Sequence, residues 1–261
     1  MLTLDRQNQI FELIKEKKAV QVSFLAKEFY TCESTIRRDL QKLEKMRLIK
    51  RTYGGAMLRE GLNAEIPLSV RENEQSDAKN QIGRLAAALV KDGDSLIMDS
   101  SSTTLQMIKY LKSKKDLVIL TNGVKTAAAA GSELNCRVYC TGGALRENSS
   151  SLIGRDAERF IAQRTVQKLF FSCRAVSNSL EAMDVSDGEA ELRKTMLACA
   201  AESYLLCDST KLGKTALNVI CGLSSVNALI SDRLPGQEFA GALQGLSHLR
   251  LIIENGADAQ G

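Results

Sequence analysis

The chain has 261 residues, of which 44% are apolar and 25% charged, with seven Cys, one His and a net charge of +4. That length suits one α/β domain of about 150–200 residues plus a small extra module. No apolar run approaches the roughly 20 residues that span a bilayer, and the polar start from Met1 to Asn8 lacks the apolar core of a secretory signal, so a cytoplasmic protein with no membrane partner is expected.

The charge is uneven. Residues 1–60 hold 13 Lys and Arg against 8 Asp and Glu, a net +5, while residues 61–261 hold 22 against 23, a net −1. A basic module joined to a near-neutral one points to a polyanion partner for the first. The odd cysteine count argues against a disulfide framework. Cys136 and Cys140 are four apart, but the only histidine is the distant His248, so no metal site and no cofactor are expected and the thiols read as buried and reduced.

Three short amphipathic helices are predicted first. Ile10, Phe11, Leu13 and Ile14 mark the apolar face of one; Val22, Leu25, Ala26 and Phe29 that of the second; Ile36, Leu40 and Leu43 that of the third. Tyr30 to Glu33 has the length of a tight turn between the last two. At 100° per residue, Ser34, Arg38, Gln41 and Lys45 fall opposite the buried stripe of the third helix, with Arg37 beside them. Ser34 and Thr35 open that helix, the end that enters a major groove, where an Arg can bond guanine O6 and N7 together. Taken alone, such a face also reads as an ordinary solvated surface. The next segment, Arg47 to Leu58, predicts two short strands around a Gly-Gly turn, a basic wing whose Lys50, Arg51 and Tyr53 would touch the DNA backbone or minor groove.

Thr35-Ile36-Arg37-Arg38-Asp39-Leu40, then Leu43 and Glu44, then Arg51-Thr52-Tyr53-Gly54-Gly55-Ala56, resemble the winged-helix signature of the DeoR family of bacterial repressors. The match covers both helix and wing. Cys32 stands where the family usually has a capping Ser, which implies a weaker cap. Tyr53 stands where a His is common.

Residues 59–76 are polar and irregular and read as a linker between a DNA-binding domain at 1–58 and an α/β effector-sensing domain at 77–255. From 77 the pattern alternates. A helix around Ile82, Leu85, Ala86 and Leu89 precedes a strand at 96–98 and a helix at 103–112. A strand at 117–120 precedes an Ala-rich helix, a strand at 138–140 a helix at 152–163, and a strand at 169–171 a helix at 188–201. Strands follow at 204–207, near 218–221, 227–231 and 249–253. This order predicts a mostly parallel sheet with helices on both faces.

Polar segments follow the strands: Asp99-Ser100-Ser101-Ser102-Thr103-Thr104, Thr121-Asn122-Gly123, Thr141-Gly142-Gly143 and Asp208-Ser209-Thr210-Lys211. Each has a plain reading as a helix cap or turn. Their common place at strand carboxyl ends, where open parallel sheets bind ligands, points to a phosphate-bearing polyol, with Lys211 as its counter-charge. The DeoR resemblance continues through these loops, the stretch Glu189 to Met196 and Asp208 to Gly213, from about residue 4 to about residue 255. It implies a sensor domain similar in fold to ribose-phosphate isomerase, and release of double-stranded operator DNA when a phosphorylated sugar binds. Where the family has a Gly, Ser101 implies a narrower phosphate approach.

The rival reading is a sugar-phosphate isomerase or aldolase. Such proton transfers need a placed base. Asp99, Asp184 and Asp187 are candidates, and His248 reads as a surface residue. A free-standing isomerase has no use for a basic winged helix, so the expectation is a regulator with no catalytic residues. An RNA-binding role is disfavoured by the lack of a stacking platform. Two-fold operators favour a homo-oligomer, a dimer or higher.

Overall fold

The computed structural model describes residues 3–46, 48–58, 66–146, 149–233 and 236–254. Two compact units divide the chain, residues 1–70 and 71–261.

In the first unit, α1 (Thr3–Lys17), β1 (Ala19–Gln21), α2 (Val22–Glu28), α3 (Glu33–Lys45), β2 (Ile49–Arg51) and β3 (Gly55–Leu58) follow in order. The apolar stripes of the three helices meet in one core: Ile10, Phe11, Ile14, Val22, Leu25, Ile36, Leu40 and Leu43, closed by Leu48, Ile49 and Ala56. Asp39, on the buried side of α3, accepts hydrogen bonds from Arg6 Nε at 2.7 Å and Gln7 Nε2 at 2.7 Å. The carboxylate thereby locks α1 across α3, since a buried charge without partners is costly. The wing is a three-stranded antiparallel sheet in the order β1-β3-β2. Strand β1 was invisible to a two-strand reading, and only Gly54 lies in the turn. Gly55 opens β3 opposite Gln21, where a Cβ would stand 2.0 Å from the Val20 carbonyl oxygen. The glycine therefore serves close strand approach. Arg47 and residues 59–65 lie outside the described residues. Within the stretch expected to be an irregular linker, α4 (Leu68–Arg71) forms a helical turn with Leu68 and Val70 buried.

The second unit contains α5 (Ser76–Ala87), β4 (Ser95–Met98), α6 (Ser102–Leu105), β5 (Leu117–Thr121), α7 (Val124–Glu133), β6 (Cys136–Cys140), β7 (Ala144–Arg146), β8 (Ser151–Ile153), α8 (Arg155–Ala162), β9 (Val166–Ser172), β10 (Ala175–Val176), β11 (Glu181–Asp184), α9 (Asp187–Ala198), β12 (Ala200–Leu206), β13 (Asn218–Gly222), β14 (Ala228–Ile230), α10 (Gln237–Leu243) and β15 (Arg250–Ile252). Seven strands form one all-parallel sheet in the order β15-β14-β12-β9-β4-β5-β6. Side chains alternate across it. Ile97, Leu169, Phe171 and Leu205 face the core under α8 and α9, while Leu96, Met98, Phe170 and Leu206 face the core under α5. Burial on both sides explains the unbroken apolar run of β9.

Several boundaries differ from the sequence expectation. The helix expected at 103–112 is a single α-turn followed by a 3-10 turn at Ile108–Tyr110. Its hydroxyl and β-branched residues bond locally and compete with helix propagation. Residues 152 and 153 of the helix expected at 152–163 belong instead to β8, which pairs with β7 as a hairpin. The strand expected near 218–221 joins β10 and β11 in a separate antiparallel sheet. Cysteine burial is also mixed: Cys173 and Cys207 are buried, but Cys32 and Cys140 are exposed, and all seven are free thiols.

The strand order fixes where a ligand crevice lies. The chain runs from β4 outward to β6, then returns to place β9 on the other side of β4. Connections thus diverge at β4 and β9, a topological switch point that leaves a crevice outside their carboxyl ends.

Candidate functional site

On the DNA-binding side, α3 presents the expected face. Ser34, Arg37, Arg38, Gln41 and Lys45 are exposed and Thr35 is half-buried. Arg37 pairs with Glu33 at 3.1 Å one turn earlier, whereas Arg38 has no ion-pair partner among the described residues. The helix starts at Cys32, whose side chain makes no capping bond to the backbone. Its Sγ instead lies 3.1 Å from both Ser34 Oγ and Thr35 Oγ1, and hydrogen bonds from Ser34 and then Thr35 lower its pKa to about 7.

In the wing, Lys50 and Tyr53 are exposed, and Tyr53 stands fully in solvent. Arg51 bonds to α3. Its backbone N–H and Nε donate to the two carboxylate oxygens of Glu44 at 3.0 and 2.6 Å. Those two contacts, the backbone one first, hold the Glu44 carboxyl below the usual range. Arg51 therefore ties the wing to the C-terminal turn of α3 through its backbone N–H and Nε, while its side chain stays exposed.

The crevice is organised by one carboxylate. Asp99, at the end of β4, was expected to meet the effector; instead all its acceptor capacity is taken. Oδ1 accepts from Ser101 N at 3.1 Å and Thr104 Oγ1 at 2.8 Å, and Oδ2 from Ser172 N at 3.1 Å and Arg193 Nε at 2.9 Å. Burial alone would raise this carboxyl, but Arg193 and the N–H and O–H donors outweigh it and keep it ionised. Arg193 also reaches Asp184 at 3.0 Å and Glu189 at 3.5 Å. Glu189 in turn receives Arg146 at 3.2 Å and the hydroxyls of Ser151 and Ser100. Asp99 joins the β4 and β9 ends and Glu189 joins α9 to the β7–β8 hairpin. Arg193, Glu189 and Arg146 are residues that periodicity passed over.

The predicted loop residues divide accordingly. Thr104 bonds inward to Asp99, and Ser101 caps α6, its hydroxyl accepting from Thr104 N. Thr121 accepts from Gly123 N. Ser100 and Ser102 are buried beside them. Thr103 Oγ1 and Asn122 Oδ1 are buried with no hydrogen-bond partner in the described residues, two open positions on the same carboxyl edge. Gly142 and Gly143 follow the edge strand β6. Gly143 has φ +104° and lies where a Cβ would meet the Ile153 carbonyl oxygen at 2.5 Å, so it serves the close passage of β8.

Two cations stand at the β9–β12 side, Lys79 buried and Lys211 half-buried. Lys211 Nζ donates to Ser172 Oγ at 3.2 Å and lies 3.4 Å from Asp208 Oδ2. Burial opposes its charge, but Asp208 outweighs burial and raises its pKa. Lys79 of α5 is buried and donates to the carbonyl oxygens of Arg71 and Glu74, the latter at 2.6 Å. Burial, then the nearby charge of Lys211, lowers its pKa to about 8. A lysine amid apolar helix positions gave no sequence signal.

The residue pattern has counterparts of the same length. Residues 6–60 match the DeoR-like helix-turn-helix domain and residues 74–233 the DeoR C-terminal sensor domain. The chain belongs to the DeoR family of transcriptional regulators. The uncharacterized HTH-type transcriptional regulator YulB of Bacillus subtilis is 36% identical over 232 residues, 89% of this chain and 90% of that one. The HTH-type transcriptional repressor GlcR of the same organism is 30% identical over 92% of each chain. Among solved structures, the sorbitol operon regulator SorC of Klebsiella pneumoniae aligns over 95% of this chain and 100% of that one at 10% identity and a TM-score of 0.41. Ribose 5-phosphate isomerase A of Methanocaldococcus jannaschii aligns over 53% and 55% at 18% identity and a TM-score of 0.38. Like its family, this DeoR regulator is a DNA-binding transcription factor and not an enzyme. No described helix is long and apolar enough to cross a membrane.

Arg38→Ala is expected to cost about 1–3 kcal/mol of specific DNA affinity, the loss of one bidentate guanidinium–guanine contact, since Arg38 is exposed on α3 with no ion-pair partner among the described residues. Competition binding against random DNA checks this. Equal weakening on both duplexes would assign Arg38 to phosphate, and unchanged binding would remove it from the interface.

Proposed function

We propose that this regulator is a repressor of a carbohydrate catabolic operon, released from double-stranded operator DNA by a phosphorylated sugar bound in the β4–β9 crevice. The observation that carries the reading is a pair of cations at the carboxyl edge of the sheet: Lys79, which is buried, and Lys211, which is half-buried beside Asp208 and whose charge acts on Lys79. The charge of Lys211 disfavours the charged form of buried Lys79, and a dianionic phosphate between them offsets that repulsion. Buried Thr103 Oγ1 and Asn122 Oδ1, both without partners among the described residues, offer hydrogen bonds to sugar hydroxyls. Relatives whose names specify a role support the operon class: a putative aga operon repressor of Escherichia coli and a lactose phosphotransferase system repressor of Staphylococcus epidermidis. The DNA-contacting set is Ser34, Thr35, Arg37, Arg38, Gln41, Lys45, Lys50 and Tyr53, acting in a cytoplasmic homo-oligomer whose two-fold symmetry matches a palindromic operator. The enzyme alternative is not favoured, because Asp99 and Asp184 are both held by Arg193 and Asp187 is exposed.

A thermal-shift screen of sugar phosphates against their free sugars tests the reading. A phosphorylated ligand at 100 times its Kd adds about 2.7 kcal/mol of stability, while the unphosphorylated sugar adds none. Stabilisation by free sugars alone would sink it.

The same cations predict a pH dependence. Free Lys79 titrates at about 8, depressed by burial and Lys211. An anion favours the charged form, so binding raises that pKa. Effector affinity is therefore expected to be full just below pH 8 and to fall above it, by up to about tenfold per pH unit, as binding comes to require proton uptake. Below about pH 6 the phosphate itself protonates and affinity falls again. Calorimetric titrations at pH 7 and 9 in buffers of different ionisation enthalpy check the sign. Equal affinity at both pH values would remove Lys79 from the phosphate site.

A further inference from the structure

Helix α2 ends in a motif with an unsuitable residue at its hinge. Tyr30 N donates to Lys27 O at 3.2 Å and Thr31 N to Ala26 O at 3.0 Å, the paired bonds of a Schellman cap. The position between them needs a left-handed backbone, and Tyr30 has φ +49°. Glycine adopts that conformation without strain; a residue with a Cβ does not.

Nothing in the domain compensates. The Tyr30 side chain is 97% exposed. Among the other described non-glycine residues at positive φ, Lys18, Gln75, Asp116 and Ser150 are polar, and Leu180 packs on the sensor core. Tyr30 alone combines the left-handed strain with an aromatic ring wholly in solvent. Strained residues cluster at sites that meet a ligand or partner.

Its place says what that is. Tyr30 lies three residues before Glu33, the first residue of α3. The other fully exposed aromatic of the domain is Tyr53, in the turn between β2 and β3, and Arg51 beside it is bonded to Glu44 in the last turn of α3. The two phenols therefore bracket the recognition helix, one at each end.

We propose that Tyr30 is a DNA-contacting residue, its hydroxyl donating to a backbone phosphate at the rim of the major groove beside the N-terminal end of α3. The contact fixes the depth and angle at which Ser34 and Arg38 meet base edges; it positions, and reads no base itself. The proposal rests on α3 and the wing being the DNA interface.

The full-length protein and its Tyr30→Phe and Tyr30→Gly variants are titrated onto a labelled 30-base-pair random-sequence duplex over a range of salt. Tyr30→Gly should melt no lower than the parent, since glycine relieves the left-handed strain, and should bind about three- to tenfold more weakly. Tyr30→Phe, which keeps the ring and loses the hydroxyl, should show most of that loss. Because tyrosine carries no charge, the loss should be the same at every salt concentration, whereas Lys50→Ala should lower the salt slope by about 0.9. Parent-like binding by both Tyr30 variants beside a weakened Lys50→Ala overturns the proposal and leaves the interface standing. Parent-like binding by all three variants removes the interface and the proposal with it. A change in oligomeric state of Tyr30→Gly with DNA affinity unchanged would instead place Tyr30 between copies of the chain and would also overturn it.

Discussion

Replacing Arg193 by alanine is expected to cost about 3–5 kcal/mol of sensor-domain stability. The guanidinium is buried and answers three carboxylates, Asp99 at 2.9 Å, Asp184 at 3.0 Å and Glu189 at 3.5 Å. Burial disfavours its charge, yet the three carboxylates outweigh burial and raise its pKa. Truncation leaves Asp99 ionised, buried and short of its counter-charge. Asp99→Asn in the same chain should recover part of the loss, because a neutral amide tolerates the site better. The pair also sets the acid limit of the fold. The Asp99 carboxyl is held below its ordinary value, so its contribution is present at neutral pH and is lost as pH falls through the acid range. Urea melts of the parent, the single and the double variant measure the coupling. An unchanged midpoint for Arg193→Ala would mean that the network is not structural.

Lys211→Gln is expected to give a repressor that no longer responds. The side chain sits at the end of β12, with Nζ on Ser172 and near Asp208. Its charge faces the proposed phosphate, and loss of a charge-assisted contact weakens the effector by roughly 10- to 100-fold. Glutamine keeps a donor for Ser172, which limits the structural damage that alanine would cause beside buried Asp208. The ligand can shift the DNA equilibrium only by binding the DNA-free form better. The variant should therefore bind operator as the parent does and ignore the sugar phosphate, and in cells it should repress permanently. Release at the parent's effector concentration would leave Lys211 as a structural partner of Asp208 and nothing more.

How far the sequence reached depends on the range of the interaction that decides each feature. The stripe Ile36, Leu40 and Leu43 predicts α3 because a helix repeats every 3.6 residues and needs no knowledge of other segments. Asp39 breaks that reading. It is charged and buried, and its partners Arg6 and Gln7 lie more than thirty residues away. Gly54-Gly55 looked like a turn, but Gly55 is dictated by Val20 on a strand the local pattern did not reveal.

In the sensor domain the alternation of apolar runs was enough for the parallel sheet, and the polar strand ends pointed to the crevice. The roles within the crevice were not legible. Asp99 looks like a ligand contact in the sequence and is an organiser in the fold, because Arg193 reaches it from 94 residues away. Arg193 itself sits in a helix whose exposed and buried faces both carry charge. Lys79 lies on α5 with its ammonium bonded to the carbonyls of Arg71 and Glu74, and no local pattern marks it. Local patterns place such residues on elements, and only tertiary structure says which charges meet.

In the proposed function one chain couples a DNA-binding winged helix to a crevice for a phosphorylated sugar. The direct measurement starts from a duplex selected by the full-length protein from a random library. The labelled complex is titrated with each sugar phosphate that stabilises the free protein, and with the matching free sugar. Release by the phosphorylated sugar, with no effect of the free sugar and no effect on the Lys211→Gln complex, is the predicted result. A complex that survives saturating sugar phosphate, or that is released equally by the unphosphorylated sugar, would contradict it.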